Sequence, residues 1–191
     1  MFGINTLHLY ICIIKQTEMK KIIVFTLVAF FTSAMVMAQS DSKFRFSVGP
    51  ELSFASGSFS DSHSIGIGGS AQAEISLQEH LYGTATFGVI AYNGKSYPNT
   101  GTKRTGQIII PLRVGAKYFL SGGIYVAAQM GVGFLNNFYT GTSFSYSPQI
   151  GYEFKTKRDK AIDATFKYDG YSAKSPIGTL GAIGFRLAYI F

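Results

Sequence analysis

Ile183-Gly184-Phe185-Arg186-Leu187-Ala188-Tyr189-Ile190-Phe191 is the stretch on which the fold turns. Ile183, Phe185, Leu187, Tyr189 and Phe191 are apolar at every second position, and Gly184, Arg186, Ala188 and Ile190 stand between them. A repeat of two belongs to a β-strand, whose successive side chains leave opposite faces of the sheet. One face of this segment therefore meets an apolar medium, while the other carries a charge. It also runs to the last residue of the sequence, where chains ordinarily fray. A strand placed there needs a partner that holds its end, as it has when it closes a sheet.

Seven more segments upstream alternate in the same way: 44–54, 65–77, 81–92, 107–118, 124–134, 143–154 and 162–169. In the first, Phe44, Phe46, Val48, Pro50, Leu52 and Phe54 share a side, opposite Arg45, Ser47, Gly49, Glu51 and Ser53. In the fourth, Ile108, Ile110, Leu112, Val114, Ala116 and Tyr118 stand opposite Gln107, Arg113, Gly115 and Lys117. Across all eight spans the charges keep to the less apolar side. The bases are Arg45, Arg113, Lys117, Lys167 and Arg186, and the acids are Glu51, Glu74, Glu153, Asp163 and Asp169.

Two architectures segregate residues in this manner. A soluble sandwich or lipocalin-like barrel turns its apolar face inward, around a core or an apolar ligand. A transmembrane barrel turns it outward to lipid. Aromatic-rich apolar faces on every segment favour the second, and hydrocarbon then imposes closure, because an unpaired backbone group costs several kcal/mol there. Segments of 9–11 residues cross a bilayer at a tilt of about 45°, and bacterial single-chain barrels start at about eight strands. The expectation is an all-β, eight-stranded antiparallel up-and-down transmembrane β-barrel. Its narrow lumen is filled by side chains, with the ten charges paired in it, since buried charges need partners.

The front of the chain points to export. Met19-Lys20-Lys21 precedes an apolar run over 22–31, and Val36-Met37-Ala38 ends it with a small-residue cleavage pattern. This predicts a signal peptide over 19–38 and a mature barrel domain over 39–191. Residues 1–18 read as a start assigned too early or an N-terminal extension. Removal of 1–38 takes away Cys12, the only cysteine, together with Lys15, Lys20, Lys21 and Glu18, and the net charge falls from +7 to +5. No disulfide, thiol nucleophile or thiolate metal site is then expected. Nucleic acid is not an expected partner, because compartment and fold both oppose it.

Connector lengths orient the barrel. Segments 78–80, 121–123 and 155–160 form the shorter, periplasmic set. Segments 57–64, 93–105, 136–142 and 170–176 form the extracellular set, which puts both mature termini in the periplasm. Tyr92, Tyr97, Phe138, Tyr139 and Tyr171 are expected in an outer aromatic girdle, and Tyr82, Tyr118, Tyr125, Tyr152 and Tyr189 near the other rim. Lys95, Lys103 and Arg104 form a basic cluster suited to lipopolysaccharide phosphates, against the plainer reading of a solvated loop. His63, among Ser60, Asp61, Ser62 and Ser64, supplies the residue types of a hydrolase on an outer loop, although neighbours in sequence rarely reach triad geometry. His80 reads as a turn residue. Gly66-Ile67-Gly68-Gly69 lacks the Lys-Ser/Thr pair of a phosphate loop. No cofactor or metal is expected.

Ile110-Pro111-Leu112-Arg113-Val114-Gly115-Ala116-Lys117-Tyr118-Phe119, then Tyr125 with Gly131 and Gly133, then Lys167-Tyr168-Asp169-Gly170-Tyr171, then Gly184-Phe185-Arg186, resemble small outer-membrane β-barrel proteins of the Bacteroidetes type. These are the porin-family or outer-membrane-protein β-barrel domain proteins, similar to the outer-membrane-protein-X sort. The resemblance covers 43–191. It implies a Gram-negative outer membrane, lipid and lipopolysaccharide as surroundings, and the barrel assembly machinery as a partner. It also implies that Phe185, Leu187, Tyr189 and Phe191 form the C-terminal assembly signal. It is nearly silent on activity; the expected function is a membrane scaffold or surface-interaction protein acting through its extracellular loops, not an enzyme, with a soluble lipocalin-like barrel for an apolar ligand, and after it a lipid-modifying enzyme, as the alternatives. It leaves the oligomeric state open.

Overall fold

A computed structural model describes residues 44–97, 101–156, 160–173 and 178–191. The proposed extension (1–18) and signal peptide (19–38) lie outside the described residues, as do 39–43 of the mature chain. The barrel strands are β1 (Phe44–Ser56), β2 (His63–Gln78), β3 (Leu81–Gly94), β4 (Gln107–Ser121), β5 (Ile124–Asn137), β6 (Gly141–Lys155), β7 (Ala161–Ser172) and β8 (Thr179–Ile190). Each pairs antiparallel with its neighbour in sequence, and β1 pairs with β8, so the sheet is a closed eight-stranded barrel.

The closing seam explains the terminal strand. Phe54 faces Ile183, Leu52 faces Phe185 and Val48 faces Tyr189. The Phe191 amide donates to the Phe46 carbonyl at 2.9 Å. Tyr189 and Phe191 stack edge to face, with centroids 5.0 Å apart. The chain end is therefore held by backbone pairing and ring contact.

Register sets the geometry. From Leu112 the cross-strand partners run through Phe87, Ala71 and Val48 to Tyr189. In the other direction they run through Val132, Phe144 and Ser172 to Thr179. One circuit thus returns to β8 displaced by ten residues, from 189 to 179. For eight strands this stagger implies a tilt of roughly 40° and an interior only wide enough for side chains.

The apolar face points outward. Phe185, Leu187 and Val114 are 49 %, 55 % and 61 % exposed, and every strand exposes large apolar side chains, such as Val48, Ile67, Phe87, Leu112, Met130, Phe144 and Phe166. A continuous apolar belt of this extent far exceeds what a soluble surface carries. The inward-facing, lipocalin-like alternative is therefore set aside.

Strands run further than sequence reading places them, on the side away from the termini. β2 starts at His63 because its ladder reaches Gly94, and the Lys95 amide donates to the Ser62 carbonyl at 2.9 Å. The expected loop 57–64 becomes a short 3-10 helix, Gly57–Asp61, followed directly by strand. β5, β6 and β7 likewise extend into the expected loops 136–142 and 170–176. On the opposite side the β2–β3 and β4–β5 turns are tight, with two residues each. Gly122 and Gly123 have φ of 58° and 97°, as a two-residue primed hairpin turn requires.

Several rim aromatics occupy other places than the girdle assigns them. Tyr92 and Tyr171 are buried in the lumen, and Tyr125, at the terminal-side rim where it is expected, is buried there too. Their parity explains it: Tyr92 is in phase with Thr84 and Thr86, Tyr125 with Gln129, and Tyr171 with Asp169. Phe138 and Tyr139 pack against His63. Tyr118, Tyr152 and Tyr189 do face outward near the terminal side. Glycine makes room for the inward rings: a Cβ at Gly66 would lie 2.6 Å from the ring of Tyr92, its cross-strand partner, so Gly66 is a seat for that tyrosine.

Candidate functional site: the filled lumen

The lumen is stacked in three tiers. The first lies nearest the termini, where Glu74, Glu153 and Asp163 present carboxylate oxygens within 4.8 Å of one another. Such a trio suits a cation, and the cation here is an ammonium. Lys117 Nζ stands 2.9 Å from Glu74, 2.5 Å from Glu153 and 2.9 Å from Asp163. Arg45 spans two of these acids from the mouth, bonding Glu74 and lying 2.9 Å from Glu153. Its guanidinium rests 4.4 Å over the Tyr82 ring. Tyr125 Oη donates to Asp163 at 2.7 Å and leans on Lys117, whose Nζ is 4.0 Å from its ring centroid. Outside this tier the barrel opens into a vestibule of about 780 Å³ lined by Glu79, His80, Tyr82, Phe119 and Arg45.

The second tier holds the other five charges. Lys167 Nζ lies 2.7 Å from Glu51 and 3.3 Å from Asp169. Arg113 donates to Asp169 at 2.8 Å, to Ser145 through Nε at 2.7 Å, and to Tyr171 Oη at 2.8 Å. Arg186 Nε lies 3.8 Å from Glu51, and Ser70 joins them: it accepts from Arg186 at 2.8 Å and donates to Glu51. Between the tiers runs a neutral belt. Gln129 Nε2 donates to Gln72, Thr84 and Thr86, and Gln72 donates on to Glu74 at 2.7 Å.

The structure thus brings together all ten charges of the inward face, nine of them 5 % exposed or less, with Arg45 at the mouth. It also divides them unequally. The first tier sets two cations against three carboxylates, and the second sets three cations against two carboxylates. Each tier carries one charge of excess, opposite in sign, and the lumen as a whole is balanced. Sequence counting yields the balance but not this partition.

The third tier is one that sequence reasoning missed. On the side away from the termini, Ile90, Ile109, Leu135, Leu180 and Ala182 turn inward and pack with Tyr92 and Tyr171 around Phe59 of the 3-10 helix. The signal for it was present: Val89-Ile90-Ala91, Ile108-Ile109-Ile110 and Phe134-Leu135 break the alternation into continuous apolar runs at one end of their strands. A run apolar on both faces is a strand segment buried on both. Here one face meets lipid and the other meets the plug.

The two candidate surface sites are placed differently. Lys95 Nζ donates to the Ser60 carbonyl at 2.6 Å and Arg104 to the Asp61 carbonyl at 3.3 Å, so both hold down the 3-10 helix. Arg104 also covers the Tyr97 ring at 4.5 Å. Lys103 is exposed on the bridge it forms with Ser96. Ser62 Oγ and His63 Nδ1 are 2.8 Å apart, but His63 is fully buried at the start of β2 and Ser62 nearly so. Its hydroxyl also lies 3.2 Å from the Phe59 carbonyl. The pair is a structural cap under the plug. His80 is exposed in the β2–β3 turn, and Gly66–Gly69 lies within β2.

Comparison with known proteins adds the family. Among solved structures, Neisserial surface protein A superposes with a TM-score of 0.55 at 12 % identity, covering 78 % of this chain and 96 % of that one. The outer membrane protein OprG from Pseudomonas aeruginosa gives 0.52 at 8 % identity, over 78 % and 95 %. The Yersinia pestis outer membrane protein Ail in a phospholipid bilayer nanodisc gives 0.50 at 14 % identity, over 78 % and 98 %. At such identities the likeness is one of fold. No curated protein sequence matches the chain. The profile of the outer membrane protein beta-barrel domain matches residues 24–191. An outward apolar belt, a closed eight-stranded sheet and this match agree, and the chain belongs to the outer membrane protein β-barrel domain family.

Proposed function

We propose that this protein is a sealed outer-membrane scaffold whose interactions are made by its connecting loops and that it catalyses no reaction. The observation that carries this reading is the filled lumen, in which two tiers of buried, ion-paired side chains and an apolar plug are stacked along the barrel axis. In this reading the termini are periplasmic, and the connections after β1, β3, β5 and β7 face outside. Outer-membrane lipid and lipopolysaccharide are the surroundings. Of the basic cluster, Lys103 is the side chain best placed to meet a phosphate, because Lys95 and Arg104 already serve loop carbonyls. Planar-bilayer recording on refolded protein tests the seal: conductance should stay at baseline, and sustained discrete openings would refute it.

In the same reading, the barrel assembly machinery recognises Phe185, Leu187, Tyr189 and Phe191. Deleting Phe191 removes the amide bonded to Phe46 and a ring packed on Tyr189. Assembly into the outer membrane should drop severalfold in cells, scored by heat-modifiable migration of the membrane fraction. Unchanged assembly would separate the terminal residue from recognition.

A further inference from the structure

The plug contains a group that the seal does not require, namely an ionisable ring with no anion beside it among the described residues. His63 is fully buried. Its ring stacks on Phe59 with centroids 4.8 Å apart and meets Phe138 edge to face at 5.2 Å. Nδ1 is taken up by Ser62 Oγ, and Nε2 is buried without a hydrogen-bond partner. Tyr139 tilts over the same ring at 6.4 Å.

The elements packed around the ring are the 3-10 helix, β3 with the β3–β4 connection, and the β5–β6 connection. Their titratable and charged groups, among the described residues, are Asp61, Tyr92, Lys95, Tyr97, Lys103, Arg104 and Tyr139. The one carboxylate, Asp61, is exposed. Burial is the largest influence on the ring and disfavours its charged form; the Thr105 backbone favours that form, and the Arg104 guanidinium, which has the sign of an imidazolium, opposes it, so the balance holds the ring below the usual histidine range. Protonation would therefore place a cation in a buried site next to another cation and, among the described residues, without a counter-ion. Burial and like charge both oppose that.

We infer that His63 is an acid-sensitive latch, whose protonation releases the Gly57–Asp61 helix from the mouth and uncovers the apolar tier beneath Phe59. The helix is short enough to leave as a unit. Phe59 is its only buried residue, and its polar ties are Lys95 on Ser60, Arg104 on Asp61 and the Ser62–Phe59 turn. The ion-paired tiers lie deeper, so release exposes Ile90, Ile109, Leu135 and Leu180 at the surface without opening a pore. The sign follows from proton counting. The docked state holds His63 neutral and the released state lets it charge, so docking is favoured above the ordinary histidine pKa of about 6.5 and weakens below it. The released population grows by up to about tenfold per pH unit in that window.

The chain has no tryptophan, so Phe59→Trp places a single indole reporter on the helix. In the refolded full-length barrel, acrylamide quenching of this reporter should rise several-fold between about pH 7.5 and about pH 5. The rise should vanish in Phe59→Trp combined with His63→Gln. Amide exchange over 57–62 in the unsubstituted protein, corrected for intrinsic pH dependence and referred to β4 amides, should accelerate in the same window. Quenching and exchange that stay flat through the window, or a rise that persists with His63→Gln, would overturn the latch.

Discussion

Lys117→Ala should destabilise the barrel by about 3–5 kcal/mol, the usual cost of removing one partner from a buried ionic cluster. Lys117 Nζ contacts three carboxylates at 2.5–2.9 Å, and the tier already holds one more acid than base. Removal leaves Glu74, Glu153 and Asp163 within 4.8 Å of one another, with Arg45 as their remaining cation. Arg45 approaches from the mouth and does not reach Asp163 among its ion pairs. Denaturant unfolding in detergent or bilayers, followed by heat-modifiable migration, reads the loss. Two companion results distinguish electrostatics from lost packing. Adding Glu153→Gln and Asp163→Asn to Lys117→Ala should recover part of the stability, as coupled neighbours do in a mutant cycle. The deficit should also shrink in acid, because a protonated carboxyl needs no counter-charge. An unaltered unfolding midpoint would mean that the tier is wet enough for water to replace the ammonium.

Leu112→Arg should cost about 2–4 kcal/mol, the range for a basic side chain on the lipid face near the bilayer midplane. Leu112 is half exposed in the middle of β4, flanked by Phe87 on β3 and Val132 on β5. The neighbouring position, Arg113, carries the same guanidinium 1 % exposed and satisfied by Asp169, Ser145 and Tyr171. One residue of parity thus separates a fully bonded arginine from one facing acyl chains. The loss should appear in bilayers and fade in short-chain detergent, where the arginine reaches water. Equal stability of Leu112→Arg and the parent in bilayers would place Leu112 away from hydrocarbon.

Much of the fold was legible because alternation is a local property. Val114 and Arg113 take opposite sides by pleat alone, whatever the rest of the chain does. The same logic put Arg45, Glu51 and Lys117 on one face before any partner was known. Nearness to a rim does not by itself put an aromatic residue in a girdle: Tyr92 and Tyr171 lie near the outer rim but on inward positions. The plug was hidden for a different reason. Phe59 reaches the lumen through a non-strand segment, and the cluster it shares with Ile90, Ile109 and Leu180 joins four separate parts of the chain. Lys95 and Arg104 read as a surface cluster because carbonyl partners at Ser60 and Asp61 leave no trace in side-chain identity.

By itself the sequence determined polarity: which face of each strand meets lipid, that ten balanced charges share the other, and that the terminal segment is a strand needing a partner. Those follow from a repeat of two and from the cost of burying charge. The tertiary structure alone decided who pairs with whom. Lys117 meets Glu74, Glu153 and Asp163, while Lys167, on the same face, meets Glu51 and Asp169. Strand register and the ten-residue stagger around the barrel set the height of each residue in the lumen. Height is a sum over every hairpin and the closing seam, and no single segment contains it.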